Sequence, residues 1–271
     1  DHLSCHYPAH YKAEHSECRY VTQKAVEYIK RPDFEDGERG WVLSLNYINP
    51  HPPNINCEPY RSMFAAEEMD SAIRRIEELN SDHPYIRNAI GTGQHADDQH
   101  LKEFKACYYG MIAELDDNLG IVFDTLEETG QWEDTLIVFS ADHGEQLGDH
   151  YLVGKGHFYD GAMHIPCIIR DPSNKAGHTR GTVVDHFVES IDLGPTVLDW
   201  LDVDSPDRFQ GKSLLGSLYG EDDFEFKEEI HYEFDYRSSA RAIDSNTEMD
   251  KHLLWVLRTK KFKYVHFADD K

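Results

Sequence analysis

Leu136-Ile-Val-Phe-Ser-Ala-Asp-His-Gly-Glu145 is the stretch on which the reading of the fold turns. Leu136 to Phe139, opened by Asp134 and Thr135, read as a buried strand, and polar side chains follow at its carboxyl end. Upstream, Phe104, Tyr108, Ile112, Leu115, Leu119, Val122 and Leu126 recur at helical spacing, with Gly130 at a C-cap position. They predict one amphipathic helix of about seven turns. Before that helix, Trp41-Val-Leu-Ser-Leu-Asn-Tyr-Ile48 reads as another strand, ended by the prolines of Asn49-Pro50-His51-Pro52-Pro53. Strand, long helix and strand make a βαβ pattern, so the expected fold class is α/β, with a largely parallel sheet sandwiched by helices.

Working outward, Ser16 precedes Val21, Ala25 and Ile29 at helical spacing until Pro32, which predicts a helix; residues 1–16 before it read as a surface connection. Glu67 to Leu79 is expected to be helical and charged, and Ser81 to Gln99 an irregular, His-rich insertion. Ile165 to Arg170 reads as a further strand and Ile191 to Leu201 as a helix. After Pro206 the pattern changes. Glu229 to Phe234, His252 to Leu257 and Phe262 to Phe267 predict antiparallel strands of a small C-terminal unit, giving a core over 1–205 and a smaller α+β unit over 206–271.

Lys and Arg number 27 against 51 Asp and Glu, a formal charge of −24 over 271 residues. A field this negative repels polyanions and anionic membrane faces, so neither nucleic acid nor a membrane is an expected partner. The apolar runs are far shorter than the roughly 20 residues of a transmembrane helix, and a soluble chain is expected. At 39% hydrophobic residues it can bury a real core. The five cysteines are scattered, odd in number and without a C-x-x-C pair, so reduced thiols and a cytoplasmic setting are expected. With 17 histidines, only a His in a defined context carries weight.

In open parallel sheets ligands gather beyond the carboxyl ends of the strands. There the sequence offers His51 after one strand and Asp142 and His143 after another. A carboxylate and an imidazole side by side suit a divalent cation such as Ca²⁺, Mn²⁺ or Zn²⁺, though two ligands are too few for any of these. On spacing alone the alternative stands that Asp142 caps a helix and His143 is an ordinary satisfied polar residue. Lys155, between Gly154 and Gly156, can bring an ammonium to an anionic oxygen, or can simply be solvated. His51, pinned by prolines, can donate to a substrate oxygen or act as an acid, or can be a rigid loop residue without a task.

Read together, these segments resemble a known family. Asp142-His-Gly-Glu-Gln-Leu-Gly-Asp-His150, Gly154-Lys155, Ile165-Pro166 and Pro50-His51-Pro-Pro53 are similar to the sulfatase branch of the alkaline phosphatase superfamily, and within it to bacterial phosphonate monoester hydrolases. Tyr109-Gly-Met-Ile-Ala-Glu-Leu-Asp-Asp117, Thr129-Gly-Gln-Trp-Glu-Asp-Thr135, Glu189-Ser-Ile-Asp-Leu-Gly-Pro-Thr-Val-Leu-Asp-Trp200, Gly211-Lys-Ser-Leu214 and Lys261-Phe-Lys-Tyr-Val-His-Phe267 extend the likeness in the family's order over nearly the whole chain. The resemblance implies a metal-dependent hydrolase of small anionic esters that uses one divalent metal and a formylglycine nucleophile. It makes Asp142 and His143 metal ligands, and Lys155 and His51 contacts to the sulfate or phosphonate oxygens. It also places the paired acidic ligands and the Cys-x-Pro-x-Arg segment that yields formylglycine upstream of residue 1, so the chain is expected to be an internal piece of a longer enzyme.

Cys57-Glu-Pro-Tyr-Arg61 matches Cys-x-Pro-x-Arg letter for letter, but it follows the Pro-His-Pro loop and carries the bulky Tyr60 where a small residue is expected. Cys57 is therefore read as a decoy. Within the resemblance, Asp-His rather than Asp-Asn at the metal, together with the overall likeness, implies a preference for phosphonate monoesters and phosphodiesters. A sulfatase acting on a small or sugar sulfate ester is the alternative, and a non-catalytic metal-binding or interaction module is the reading from another class. The sequence leaves homo-oligomerisation open.

Overall fold

Ser16 does what its position predicts: its side chain accepts a hydrogen bond from the Arg19 N–H (3.1 Å) and opens helix α1, Glu17–Ile29. The computed structural model describes residues 8–35, 40–81, 83–90, 96–155, 158–235 and 253–268. Within them follow α2 (Pro32–Glu35), α3 (Pro84–Ile90), α4 (Asp98–Glu128), strand β1 (Ile137–Ser140), α5 (Asp160–Met163), β2 (Cys167–Arg170), α6 (Leu193–Trp200), α7 (Leu215–Leu218) and strands β3 (Glu229–Asp235), β4 (Leu253–Thr259) and β5 (Lys263–Phe267). His252 and Gly156, used in the sequence reading, lie outside the described residues. Among the described residues no helix is long and apolar enough to cross a membrane.

The chain forms two compact units, one of Asp1–Asn80, Ile90–Glu133 and Gln146–Gly154, the other of Ser81–Ala89, Asp134–Glu145 and Lys155–Lys271. The first is built on α1 packed against α4. The Asp97 side chain caps α4 at its start, accepting from the His100 N–H; at its end the Gly130 and Gln131 N–H groups return to Glu127 and Leu126. The predicted apolar stripe holds at Phe104, Val122 and Leu126, which are buried, but in the middle of α4 the buried face is rotated away from it. Ile112 is exposed, whereas Cys107, Met111, Glu114 and Asn118 are buried. The physical reason is their neighbour: residues 49–60 lie along this face as a loop, and its polar groups require polar partners. Asn56 Nδ2 donates to Cys107 O (2.8 Å), Asn49 Nδ2 to Met111 O (3.4 Å) and Tyr60 Oη to Asp117 Oδ2 (2.8 Å).

The close approach depends on Gly110. A Cβ there would fall 2.4 Å from Asn56 Nδ2 and 2.5 Å from the Tyr60 carbonyl oxygen.

The second unit holds two sheets. β1 pairs with β2 antiparallel, from Ile137↔Arg170 to Ser140↔Cys167. β3, β4 and β5 form a three-stranded antiparallel sheet, with Val256 opposite both Tyr232 and Val265. Tyr85 from α3 packs with Leu254, Val256 and Phe267 in its core. At the start of α6, Asp192 is 1% exposed. It accepts from the Glu189 and Lys212 N–H groups and from Lys227 Nζ (2.7 Å). Burial works against the Lys227 ammonium, but its bonds to Asp192 and Glu189 outweigh it and raise the pKa.

The fold is thus α/β with an antiparallel C-terminal sheet, as the sequence predicts, but the directions of its core strands differ from expectation. No parallel ladder occurs among the described residues. The connection from β1 to β2 contains only the one-turn α5 rather than the long helical crossover a parallel pair needs. Residues 41–48 alternate strictly between half-buried and exposed, as a strand does, yet join no ladder among the described residues.

Two further expectations are corrected. Glu67 to Leu79 is not an α-helix but two short 3₁₀ turns, Ala66–Glu68 and Ile76–Asn80. Between them the Ile73 N–H is taken by Asp149 Oδ1 and the Ile73 carbonyl by the His150 N–H, each at 2.8 Å, so the helical pattern loses to a tertiary partner. The insertion Ser81 to Gln99 includes α3, whose Pro84 occupies the first helical position that suits proline and whose Tyr85 is fully buried.

Replacing Gly110 by Ala should destabilise the protein by about 1–3 kcal/mol through overpacking. Gly120, on the same helix with open space beside it, should tolerate Ala and gain up to about 1 kcal/mol. Urea unfolding of the two variants checks the pair, and equal effects would contradict the packing described.

Candidate functional site

The polar turn after β1 is fixed by short-range hydrogen bonds. Asp142 Oδ1 accepts from the His143 N–H (2.9 Å), which leaves Oδ2 3.4 Å from His143 Nε2. His143 Nδ1 lies 2.8 Å from the Gly144 carbonyl. A carbonyl can only accept, so Nδ1 carries the proton and Nε2 presents its lone pair. Lys155 Nζ donates to that lone pair at 2.7 Å. The turn is held in place by Gly144, whose N–H donates to Ala162 O (2.8 Å) and whose missing Cβ would sit 2.2 Å from Gly161 O. The Asp142 carboxylate faces solvent, 84% exposed.

Of the four residues singled out in the sequence, the second unit therefore brings three together: Asp142, His143 and Lys155. His51 belongs to the first unit. Its N–H donates to Ile48 O (2.8 Å) and its Nδ1 to Pro52 O (2.7 Å), which fixes an exposed ring against its own loop. Asn49, two residues earlier, ties that loop to α4 through Met111 O and, at 3.2 Å, Glu114 Oε2. Sequence reasoning did not single out Asn49 or Glu114. The available signal was phase, because Glu114 shares a helical face with Cys107, Met111 and Asn118.

Between His143 and Lys155 the chain runs through a strained loop in the first unit. Leu147, His150 and Tyr151 all adopt positive φ, between 51° and 59°, a conformation that costs about 1–3 kcal/mol for each non-glycine residue. Partners hold it there. Arg74 donates to Gly148 O and Ala96 O, each at 2.9 Å, and its guanidinium lies 4.7 Å from the Tyr151 ring centroid. His150 Nδ1 meets Glu78 Oε1 at 2.8 Å. Arg74 is a second residue the sequence reading missed.

Cys57 is buried, and its thiol is pushed up by burial first and by the Glu114 charge second. Cys18 is driven the same way, to about 12. Such thiols are poor nucleophiles at neutral pH. The four described cysteines are free, with Cys18, Cys57 and Cys107 buried and Cys167 exposed. Among the described residues no cluster of three or more His, Cys, Asp or Glu could hold a metal. Asp142 Oδ2 and the His143 Nε2 lone pair are donors of suitable chemistry, and they amount to part of a coordination shell.

The Sulfatase family model matches residues 7–203. The chain belongs to the Sulfatase family. A second family model, N-sulphoglucosamine sulphohydrolase, C-terminal, matches residues 148–271 of this sulfatase-family chain. The chain is 37% identical over 281 residues to the multifunctional alkaline phosphatase superfamily protein PehA of Trinickia caryophylli, covering 96% of this chain and 53% of that protein. It is 29% identical over 262 residues to an arylsulfatase of Clostridium perfringens, covering 93% and 51%. The solved structure of the phosphonate monoester hydrolase SpPMH from Silicibacter pomeroyi superposes with a TM-score of 0.85 at 32% identity, covering 97% and 54%. The chain thus spans about half the length of the relatives it matches. The expected likeness to the sulfatase branch and to phosphonate monoester hydrolases is borne out.

Of the four described cysteines in the folded chain, a thiol reagent at pH 7 should modify Cys167 first, with Cys18, Cys57 and Cys107 reacting only on unfolding. Peptide mass spectrometry reads the order, and early labelling of Cys57 would contradict its burial and raised pKa.

Proposed function

We propose that this chain is the metal-ligand and oxyanion-contact part of a metal-dependent hydrolase that cleaves phosphonate monoesters and phosphodiesters. The observation that carries the reading is the convergence of Asp142, His143 and Lys155, two cation ligands beside an ammonium, at the end of β1. Asp142 Oδ2 and His143 Nε2 would hold the divalent metal, of which Ca, Mn and Zn are the candidates. When bound, the metal supplies positive charge beside the ester oxygens.

The chain's own residues contribute binding and charge. Lys155 contacts a non-bridging oxygen of the anionic ester, and its ammonium opposes the negative charge that grows as the bond to the leaving group breaks. His51, its Nδ1 committed to Pro52, directs Nε2 to a substrate oxygen or to the leaving group. The Gly144 carbonyl fixes the His143 ring by holding the tautomer, and Asp142 holds the backbone of the turn through the His143 N–H. The nucleophile, a formylglycine in this reading, lies outside the chain, and Cys57 keeps its thiol.

A sulfate-ester hydrolase is the second reading, favoured by the sulfatase descriptions of both matching family models. Rates of the complete gene product on aryl phosphonate, phosphodiester and sulfate esters separate the two. Turnover of none of them would leave the non-catalytic module. A cytoplasmic setting and a small anionic ester as substrate complete the proposal.

In the complete gene product, Lys155→Ala should lower kcat/KM by on the order of 10², and Asp142→Ala should also remove metal, read by elemental analysis. Near-normal turnover in either variant contradicts the roles assigned. The 271-residue chain alone should hydrolyse none of these esters and bind divalent cations only weakly, because two ligands compete poorly with water. Metal-dependent activity from this chain, abolished by Cys57→Ala, would overturn the assignment of Cys57.

A further inference from the structure

We infer that Glu114 and Asn49 are positioning residues for His51. The inference rests on the proposed contact between His51 and substrate.

The loop that carries His51 cannot hold itself in place. Pro50, Pro52 and Pro53 have no N–H to donate, and the His51 N–H turns back to the Ile48 carbonyl of its own stretch. Asn56 and Tyr60 tie the later part of the loop to α4, and beside His51 the side-chain link to that helix is made by Asn49. Its amide nitrogen donates to Met111 O on α4 (3.4 Å) and to Glu114 Oε2 (3.2 Å), and its backbone contacts the Cys18 thiol on α1. One residue thus pegs the loop to both helices of the α1–α4 pair.

Glu114 is an expensive partner for this task. It is 3% exposed in the middle of a helix, and its Oε1 has no hydrogen-bond partner among the described residues. A buried carboxylate held by one amide costs stability, and an apolar residue of similar volume would avoid that cost. What the carboxylate supplies is direction. It can only accept, so the Asn49 amide must turn its NH₂ toward α4, which excludes the flipped amide and fixes where the chain leaves toward Pro50 and His51.

The test is made on the complete gene product with Glu114→Ala, Glu114→Gln, Asn49→Ala, the Glu114→Ala/Asn49→Ala double variant and His51→Ala. The readouts are steady-state kinetics, thermal midpoints and the rate of diethylpyrocarbonate modification of His51 followed by peptide mass spectrometry. The expected result is a fall in kcat of about tenfold or more for Glu114→Ala and for Asn49→Ala with KM changed much less. The double variant should be no worse than either single one, because both remove the same link. Glu114→Gln, which can still accept from Asn49, should stay within about threefold of the parent. The thermal midpoint of Glu114→Gln should not fall, because a buried charge is removed while the acceptor for Asn49 is kept, and in Glu114→Ala His51 should be modified several-fold faster than in the parent. Parent-like kcat in Glu114→Ala and Asn49→Ala, with His51→Ala impaired, overturns the inference and leaves the role of His51 standing. Parent-like activity in His51→Ala instead removes the proposed contact with substrate; an unchanged His51 modification rate in Glu114→Ala overturns the positioning whatever the kinetics.

Discussion

A loop with prolines at 50, 52, 53 and 59 has too few backbone donors to stabilise its own path, so its shape is set by what it lies against. In this chain that surface is the polar side of α4. Side chains of the loop reach carbonyls and carboxylates on successive turns of the helix, Asn56 to Cys107, Asn49 to Met111 and Glu114, Tyr60 to Asp117. The absence of a side chain at Gly110 lets the two backbones close up. The helix face, the burial of Cys57 and the placing of His51 all follow from this one contact. The Glu114 charge also extends beyond the loop, raising the pKa of Tyr11, Cys18, Cys57 and Tyr60, in each case as a smaller cause than burial.

The turn after β1 works differently. It is stiffened locally, by Asp142 over its own following N–H and by His143 over the next carbonyl, and the second of these bonds decides which imidazole nitrogen is available. The lone pair so exposed faces Lys155. It cannot serve an ammonium and a metal ion at once, so in the proposed site a bound metal would free Lys155 for an oxygen of the ester. The same segment is continued by the positive-φ loop at 147–151, where Arg74, Glu78 and the Ile73 backbone hold a conformation that those residue types would not choose alone.

Much of the fold was legible where local chemistry and long-range packing agree. Ser16 capped α1, Gly130 closed α4, and the runs at Glu229 to Phe234 and Phe262 to Phe267 predicted strands that do pair antiparallel. It was illegible where a distant partner competes. The charged run at 67–79 reads as a helix until Asp149 and His150 take the backbone groups of Ile73. The apolar stripe on α4 was read correctly at Phe104, Val122 and Leu126 but missed the buried Glu114 and Asn118 between them, because periodicity counts apolar residues, whereas the loop lying on this helix needs polar ones. For the candidate site, spacing alone left Asp142, His143, Lys155 and His51 undecided, and the family resemblance supplied their roles. Asn49, Glu114 and Arg74 stayed hidden because each acts through a contact at long sequence separation.

The extended run at 41–48 has a consequence for how the isolated polypeptide behaves in the test tube. Its outward side chains include Val42 and Ile48, both well exposed, and it joins no ladder among the described residues. A bare, partly apolar strand of this kind is a template on which a second copy can add, the first step of edge-to-edge aggregation. What opposes that step is the net charge of −24, which keeps copies apart only over the screening distance of the buffer. That distance shrinks from about 30 Å at 0.01 M salt to about 10 Å at 0.1 M. Colloidal stability of the isolated polypeptide is therefore a matter of ionic strength, and dilute buffer is the condition that preserves it.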